Sequence, residues 1–200
     1  MSLDLNHRIN GPYDAPVVVL SNSLGASMDM WAPQIPALSV RFRVLRYDQR
    51  GHGDSPVPPG PYDIDDLGQD VLDLLDRNGI ERAHFCGLSI GGSTGMWLAA
   101  NALERIDRLV LLCTTAHFGT PHMWIERAAT VREQGTEAVA DAGIGRWFTD
   151  AFREREPAVA ARFRAMIASQ PDDGYAELCG VLERLDVRDR LPRIAAPTLV

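Results

Sequence analysis

The sequence predicts an α/β fold, a mostly parallel sheet with helices on both faces and an inserted helical lobe. Three observations lead there. Short strand-like runs, most of them apolar, alternate with helical segments, the first two of them run into polar turn-forming residues, and beyond Thr114 the texture becomes helical with no strand-like run until Ile194. Strands apolar on both faces need helices above and below them, which parallel crossovers supply.

Val17 to Leu20 is a β-branched run ending in Ser21-Asn22-Ser23, and Phe42 to Tyr47 is a second, ending in Asp48-Gln49-Arg50-Gly51-His52-Gly53. Between them, Met28 to Leu38 predicts a short helix that Pro33 and Pro36 limit to one or two turns. From Ile64, apolar residues at 64, 67, 71, 74 and 75 recur at steps of three and four, with aspartates opposite, until Asn78-Gly79 stops the helix. Ala83 to Gly87 reads as a third strand, Ile90 to Asn101 as a helix of small residues, and Arg108 to Cys113 as a fourth strand.

Helices are expected over Trp124 to Gln134, Thr136 to Phe148, Pro157 to Gln170 and Gly174 to Leu185. Residues 1–118 therefore read as the first part of the core, 119–185 as a helical cap and 186–200 as a return to the core. Strand character reappears from Ile194 to Val200, where the sequence stops, a poor place for a natural terminus.

With 200 residues, 46% of them hydrophobic, the chain can bury one substantial core. A net charge of −7 argues against nucleic acid, which demands a clustered basic surface. No apolar run has the length of a signal peptide or membrane span, so a cytoplasmic protein with no membrane partner is expected. Cys86, Cys113 and Cys179 lie too far apart for a metal or redox motif and read as reduced, mostly buried thiols; no metal or other cofactor is expected.

Gly87-Leu88-Ser89-Ile90-Gly91 matches G-x-S-x-G, a pattern weak by itself and strengthened by its place directly after a strand and before a helix. A sharp turn there would hold the Ser89 hydroxyl clear of the sheet as a nucleophile. The free N–H groups of the helix start carry partial positive charge, so the Ile90 N–H is expected to face an oxyanion. A second donor is expected from Asn22-Ser23-Leu24-Gly25, with the Leu24 N–H as the candidate. The alternative for Gly87 to Gly92 is a packing turn with a capping serine.

A serine nucleophile also needs a base. Asp48 to Ser55, including His52, reads better as a tight structural loop than as a source of triad members. His84 reads as a packed strand residue, His117 and His122 stand at the entrance to the helical lobe, and His7 offers nothing distinctive.

With the oxyanion loop, the Tyr47-Asp48-Gln49-Arg50-Gly51-His52-Gly53-Asp54-Ser55 segment and the elbow in this order, the chain resembles the α/β-hydrolase superfamily. Ser21 to Gly25, Met30-Trp31, His84 to Gly92, Thr120-Pro121 and Trp147-Phe148 resemble the 3-oxoadipate enol-lactonases of bacterial aromatic catabolism, the β-ketoadipate route. Asn22-Ser23 stands where many relatives carry His-Gly. The resemblance implies that Ser89 opens a lactone that bears a carboxylate, with Trp124, Arg127, Arg132 and Trp147 as candidate substrate contacts. Equally compatible is a lobe core built on the tryptophans with solvated arginines.

The resemblance also implies a catalytic acid after the strand that begins at Thr198 and a histidine later still, neither of them within these 200 residues. A chain truncated in this way, without the last strand and helix, is expected to show little lactonase activity alone. Two rival readings remain: another esterase or a cofactor-free perhydrolase on the same scaffold, and a non-catalytic ligand-binding protein or inactive fragment.

Overall fold

The computed structural model describes residues 3–200. Six strands form one sheet in the order β1-β3-β2-β4-β5-β6. These are β1 (His7–Asn10), β2 (Val17–Ser21), β3 (Arg43–Tyr47), β4 (Ala83–Leu88), β5 (Ile106–Leu112) and β6 (Thr198–Leu199). All neighbours run parallel except β1, which pairs antiparallel with β3.

The apolar character of the central strands is used on both faces. In β2, Val19 joins Leu45, Phe85 and Leu109 on one side, where α2 (Ile64–Arg77) contributes Val71, Leu74 and Leu75 and α3 (Ile90–Asn101) contributes Met96 and Leu98. Val18 and Leu20 point the other way, onto Val44 and Trp31. Each fully buried aliphatic side chain of this kind contributes roughly 1.5–3 kcal/mol. Helix α2 starts on a reciprocal cap between Asp63 and Asp66 and buries its apolar stripe together with Asp70, the one aspartate of the helix turned inward. Helix α3 is buried all round except at Asn101, which suits its run of small residues and places it at the centre of the molecule.

Several boundaries differ from expectation for physical reasons. The Met28 to Leu38 segment divides into a 3-10 turn at Met28–Trp31 and a single turn, α1 (Ile35–Leu38), because the prolines forbid continuous bonding. Strand β1 was not expected: His7, Arg8 and Asn10 lack an apolar pattern, and the strand exists because β3 offers it a ladder. Strand β5 starts two residues early, at Ile106, whose side chain is buried.

The second half of the chain supplies α4 (Pro121–Gln134), α5 (Glu137–Trp147), α6 (Asp150–Arg155), α7 (Pro157–Ala168) and α8 (Asp172–Arg184). Helix α6, six residues capped by Thr149, was not expected. Helices α4, α5, α7 and α8 share a buried cluster that includes Val131, Ala140, Ile144, Ile167, Leu178 and Val181 and that takes in Leu24 and Ile90 from the sheet side. The seam between the cluster and the C-terminal ends of the strands is where ligands of parallel sheets are held. No helix among the described residues is long and apolar enough to cross a membrane.

Candidate active site

Strand β4 delivers its chain to Ser89, which sits at φ 57°, ψ −121° before α3 begins. A non-glycine residue in this region carries backbone strain of about 1–3 kcal/mol and persists only where its surroundings impose it. Those surroundings are visible. The Ser89 N–H donates to the Leu112 carbonyl at 2.9 Å, and the Ser89 carbonyl accepts from Gly92 N–H, Ser93 N–H and the Thr114 hydroxyl. Gly91 is packed so closely under β2 that a Cβ there would stand 2.5 Å from the Ser21 carbonyl oxygen. The backbone is thus pinned while the hydroxyl of Ser89 accepts and donates no hydrogen bond among the described residues.

The loop that follows β2, Asn22 to Gly25, is held from below by the segment that follows β3. The Asn22 side chain donates to the Tyr47 carbonyl at 2.8 Å and accepts from the Trp31 indole at 2.9 Å, while the Asn22 carbonyl accepts from Gln49 Nε2 and from the Gly91 N–H. The Asp48 carboxylate accepts from Met28 N–H, Asn6 Nδ2 and Asp54 N–H. Arg50 turns away to make two bonds, 2.6 and 2.8 Å, with the nearly buried Asp70 of α2. Such bidentate geometry offsets much of the desolvation of both charges. In this frame the N–H groups of Leu24 and Ile90 have no protein acceptor among the described residues, although both side chains are buried.

His52 belongs to the same frame. Its fully buried ring donates through Nδ1 to the Gly51 carbonyl and accepts at Nε2 from the Gly25 N–H, both at 2.8 Å. This arrangement requires the neutral imidazole, and burial pushes its pKa down to about 4 from 6.5. Between those two values the unfolded chain binds a proton that the folded chain refuses, so this group makes stability rise with pH from about 4 to about 6.5. The full contribution is roughly 3 kcal/mol. Denaturant midpoints across that window should lose this slope in His52→Gln; an unchanged slope would rule the assignment out.

None of the other histidines reaches Ser89. His7 and His117 bond through Nδ1 to the carbonyls of Leu5 and Leu185, and His122 is exposed beside Glu126. His84 is not packed inside the core as expected; it is partly exposed, edge-on to Phe42 and 3.2 Å from the Asp107 carboxylate, because alternate residues of β4 point to the less covered face.

Ser89 opens into a cavity of about 280 Å³. Leu24, Trp124, Arg127 and Trp147 line it, and so does Arg146, which sequence reasoning missed. Arg132 lies outside, bonded to Glu177 at 2.8 Å on the surface. Which arginines face inward depends on how α4 and α5 rotate against α8, and one-dimensional spacing does not carry that. The Arg127 guanidinium lies 5.0 Å from the centre of the Trp124 ring. Burial, and then the neighbouring positive charge of Arg127, lower the Arg146 pKa, though arginine stays charged. Neither Arg127 nor Arg146 has a carboxylate partner among the described residues. The cavity also touches Cys113, which is exposed and sits at φ 45°, unlike the buried thiol expected. No group of three His, Cys, Asp or Glu among the described residues is placed to hold a metal ion.

Residues 16–144 match a family model described as alpha/beta hydrolase fold. The chain is 43% identical over 196 residues to 3-oxoadipate enol-lactonase 2 of Acinetobacter baylyi, covering 98% of this chain and 73% of that protein. It is 33% identical over 215 residues to a protein of Variovorax paradoxus that carries the carbamate hydrolase name RutD, covering 99% and 77% respectively. Among solved structures, the enol-lactonase from Burkholderia xenovorans superposes with a TM-score of 0.96 at 48% identity, covering 98% of this chain and 76% of that one.

Proposed function

The chain belongs to the α/β-hydrolase fold family and is a hydrolase-like enzyme, and from that premise we propose that it opens a small lactone bearing a carboxylate, 3-oxoadipate enol-lactone above all. The observation that carries this reading is the pairing, in one cavity, of Ser89 with two guanidinium groups, Arg127 and Arg146, that have no carboxylate of their own. Cations that face a cavity without a counter-ion favour an anionic ligand. A cavity of about 280 Å³ matches a substrate of small-molecule size.

In this reading the Ser89 oxygen attacks the lactone carbonyl carbon and loses its proton to a base. The charge that forms on the carbonyl oxygen is met by the N–H groups of Leu24 and Ile90, each contributing on the order of 3 kcal/mol. Collapse breaks the ring C–O bond and releases an enol, still tethered through the acyl group, which becomes a ketone. Water then attacks the acyl-serine, freeing a dicarboxylate and restoring the hydroxyl. Trp124 and Trp147 wall the cavity while Arg127 and Arg146 hold the carboxylate that does not react. The reading assigns the base to none of the described histidines, since none of them reaches Ser89.

The carbamate hydrolase name among the relatives supports a second reading, hydrolysis of a small anionic carbamate by the same serine. The test is a side-by-side measurement of kcat/KM on the enol-lactone, a short carbamate and a neutral aryl ester, using the protein as its host makes it. Preference for the enol-lactone by about 100-fold or more is expected, the worth of two or three kcal/mol in the transition state. A carbamate preference transfers the assignment to the second reading, and a neutral ester turned over best would remove the role given to the arginines.

A further inference from the structure

Two halves of the site are built far apart in sequence. The oxyanion loop, residues 21–25, belongs to the sheet, and the carboxylate anchor, Arg127 and Arg146, belongs to helices α4 and α5. The buried ring of His52 touches both sides. On one side, His52 Nε2 accepts from the Gly25 N–H at 2.8 Å, one residue beyond the Leu24 N–H. On the other, the His52 ring stacks on Tyr175 of α8, with centres 5.9 Å apart and planes 14° from parallel. Tyr175 lines the Ser89 cavity, and its buried phenol interacts with the Arg127 side chain.

The surrounding contacts make this junction rigid. Gly51 and Gly174 touch backbone to backbone, so that a Cβ on Gly51 would stand 2.6 Å from the Gly174 Cα. The Gly53 N–H donates at 2.8 Å to the buried Gln170 side chain, which is itself bonded to the Met166 carbonyl. A Cβ on Gly25 would come 3.1 Å from the Tyr175 ring. The loop after β3 thereby grips the oxyanion loop and α8 together.

We infer that His52 is a positioning residue that couples the oxyanion loop to the helical layer carrying the arginine anchor, so that one imidazole sets both where the oxyanion donor points and how the substrate carboxylate is held. Its two faces act separately. The Nε2 lone pair fixes the direction of the Gly25 peptide and with it the adjoining Leu24 N–H. The ring face holds Tyr175, and through Tyr175 the guanidinium of Arg127. This inference rests on the anionic-substrate reading for its anchor half only.

His52→Phe keeps a ring against Tyr175 and loses the acceptor; His52→Gln keeps an acceptor near Nε2 and loses the ring. Two readouts separate the halves: the rate of covalent labelling of Ser89 by a small neutral phosphonate, which needs the oxyanion hole and no lactone, and KM for the anionic substrate. In His52→Phe, labelling should slow 10- to 100-fold with KM within threefold of wild type. In His52→Gln, labelling should stay within threefold while KM rises five- to tenfold. Should His52→Phe fail to fold, His52→Gln decides alone by the same split. Equal losses in both readouts, or none in either, overturn the inference. If wild type labels normally and does not turn over the enol-lactone, the substrate assignment falls, while the labelling arm still judges His52.

Discussion

Ser89→Ala is expected to lower kcat by about 10⁴- to 10⁶-fold and to abolish labelling by a serine-directed phosphonate, the size of loss seen when a nucleophile is removed from a working site. Rate measurements and intact-protein mass spectrometry on the protein as its host makes it would check both. A second substitution makes the same point from the side of stability. Ser89 occupies φ 57° without being glycine. Ser89→Gly should therefore raise stability by about 1 kcal/mol, read as a shifted denaturant midpoint, while leaving the protein inactive. That outcome is what the nucleophile reading expects, with the strain kept for the sake of the hydroxyl. Labelling of the wild type would also exclude a non-catalytic binding role, because an unactivated serine does not react. Undiminished turnover in Ser89→Ala would dismiss the nucleophile assignment altogether.

Removing the charge at Arg127 and Arg146 should have the next largest effect, and a selective one. Arg127→Met and Arg146→Met are each expected to raise KM for the carboxylate-bearing lactone about tenfold or more, since a charge-assisted hydrogen bond contributes about 1.5–3 kcal/mol. The double variant should fall short of the product of the two, because the guanidiniums are close enough to affect each other. Hydrolysis of a neutral aryl ester should change little. Relief of the repulsion between two neighbouring like charges should leave stability equal or slightly higher. Equal losses on both substrates would mean that the arginines shape the cavity and do not bind the carboxylate.

Much of the frame of this molecule can be read from residue order. Val17–Ser21, Ala83–Leu88 and Ile106–Leu112 are β-branched or apolar runs with few other ways to be buried, and α2 shows its stripe at steps of three and four. The Ser89 turn was legible because one local motif contains the strand end, the small residues and the helix start. Strand β1 was not, since its polar residues become a strand only when β3 lies beside them. Arg146 was overlooked and Arg132 preferred for a related reason. Both are arginines on surface-type helices, and only the packing of α4, α5 and α8 determines that one enters the cavity while the other pairs with Glu177.

By itself, then, the sequence determined the layered α/β architecture and the serine at its strand-to-helix turn, because each follows from periodicity, steric demand or a motif within a few residues. The convergence of Leu24, Ser89, Trp124, Arg127, Arg146 and Trp147 on one cavity was decided by the tertiary structure alone, as was the neutral state of His52. Those properties depend on distances between segments tens of residues apart and on the exclusion of water from the space between them, and neither quantity exists until the sheet and the helices above it have packed.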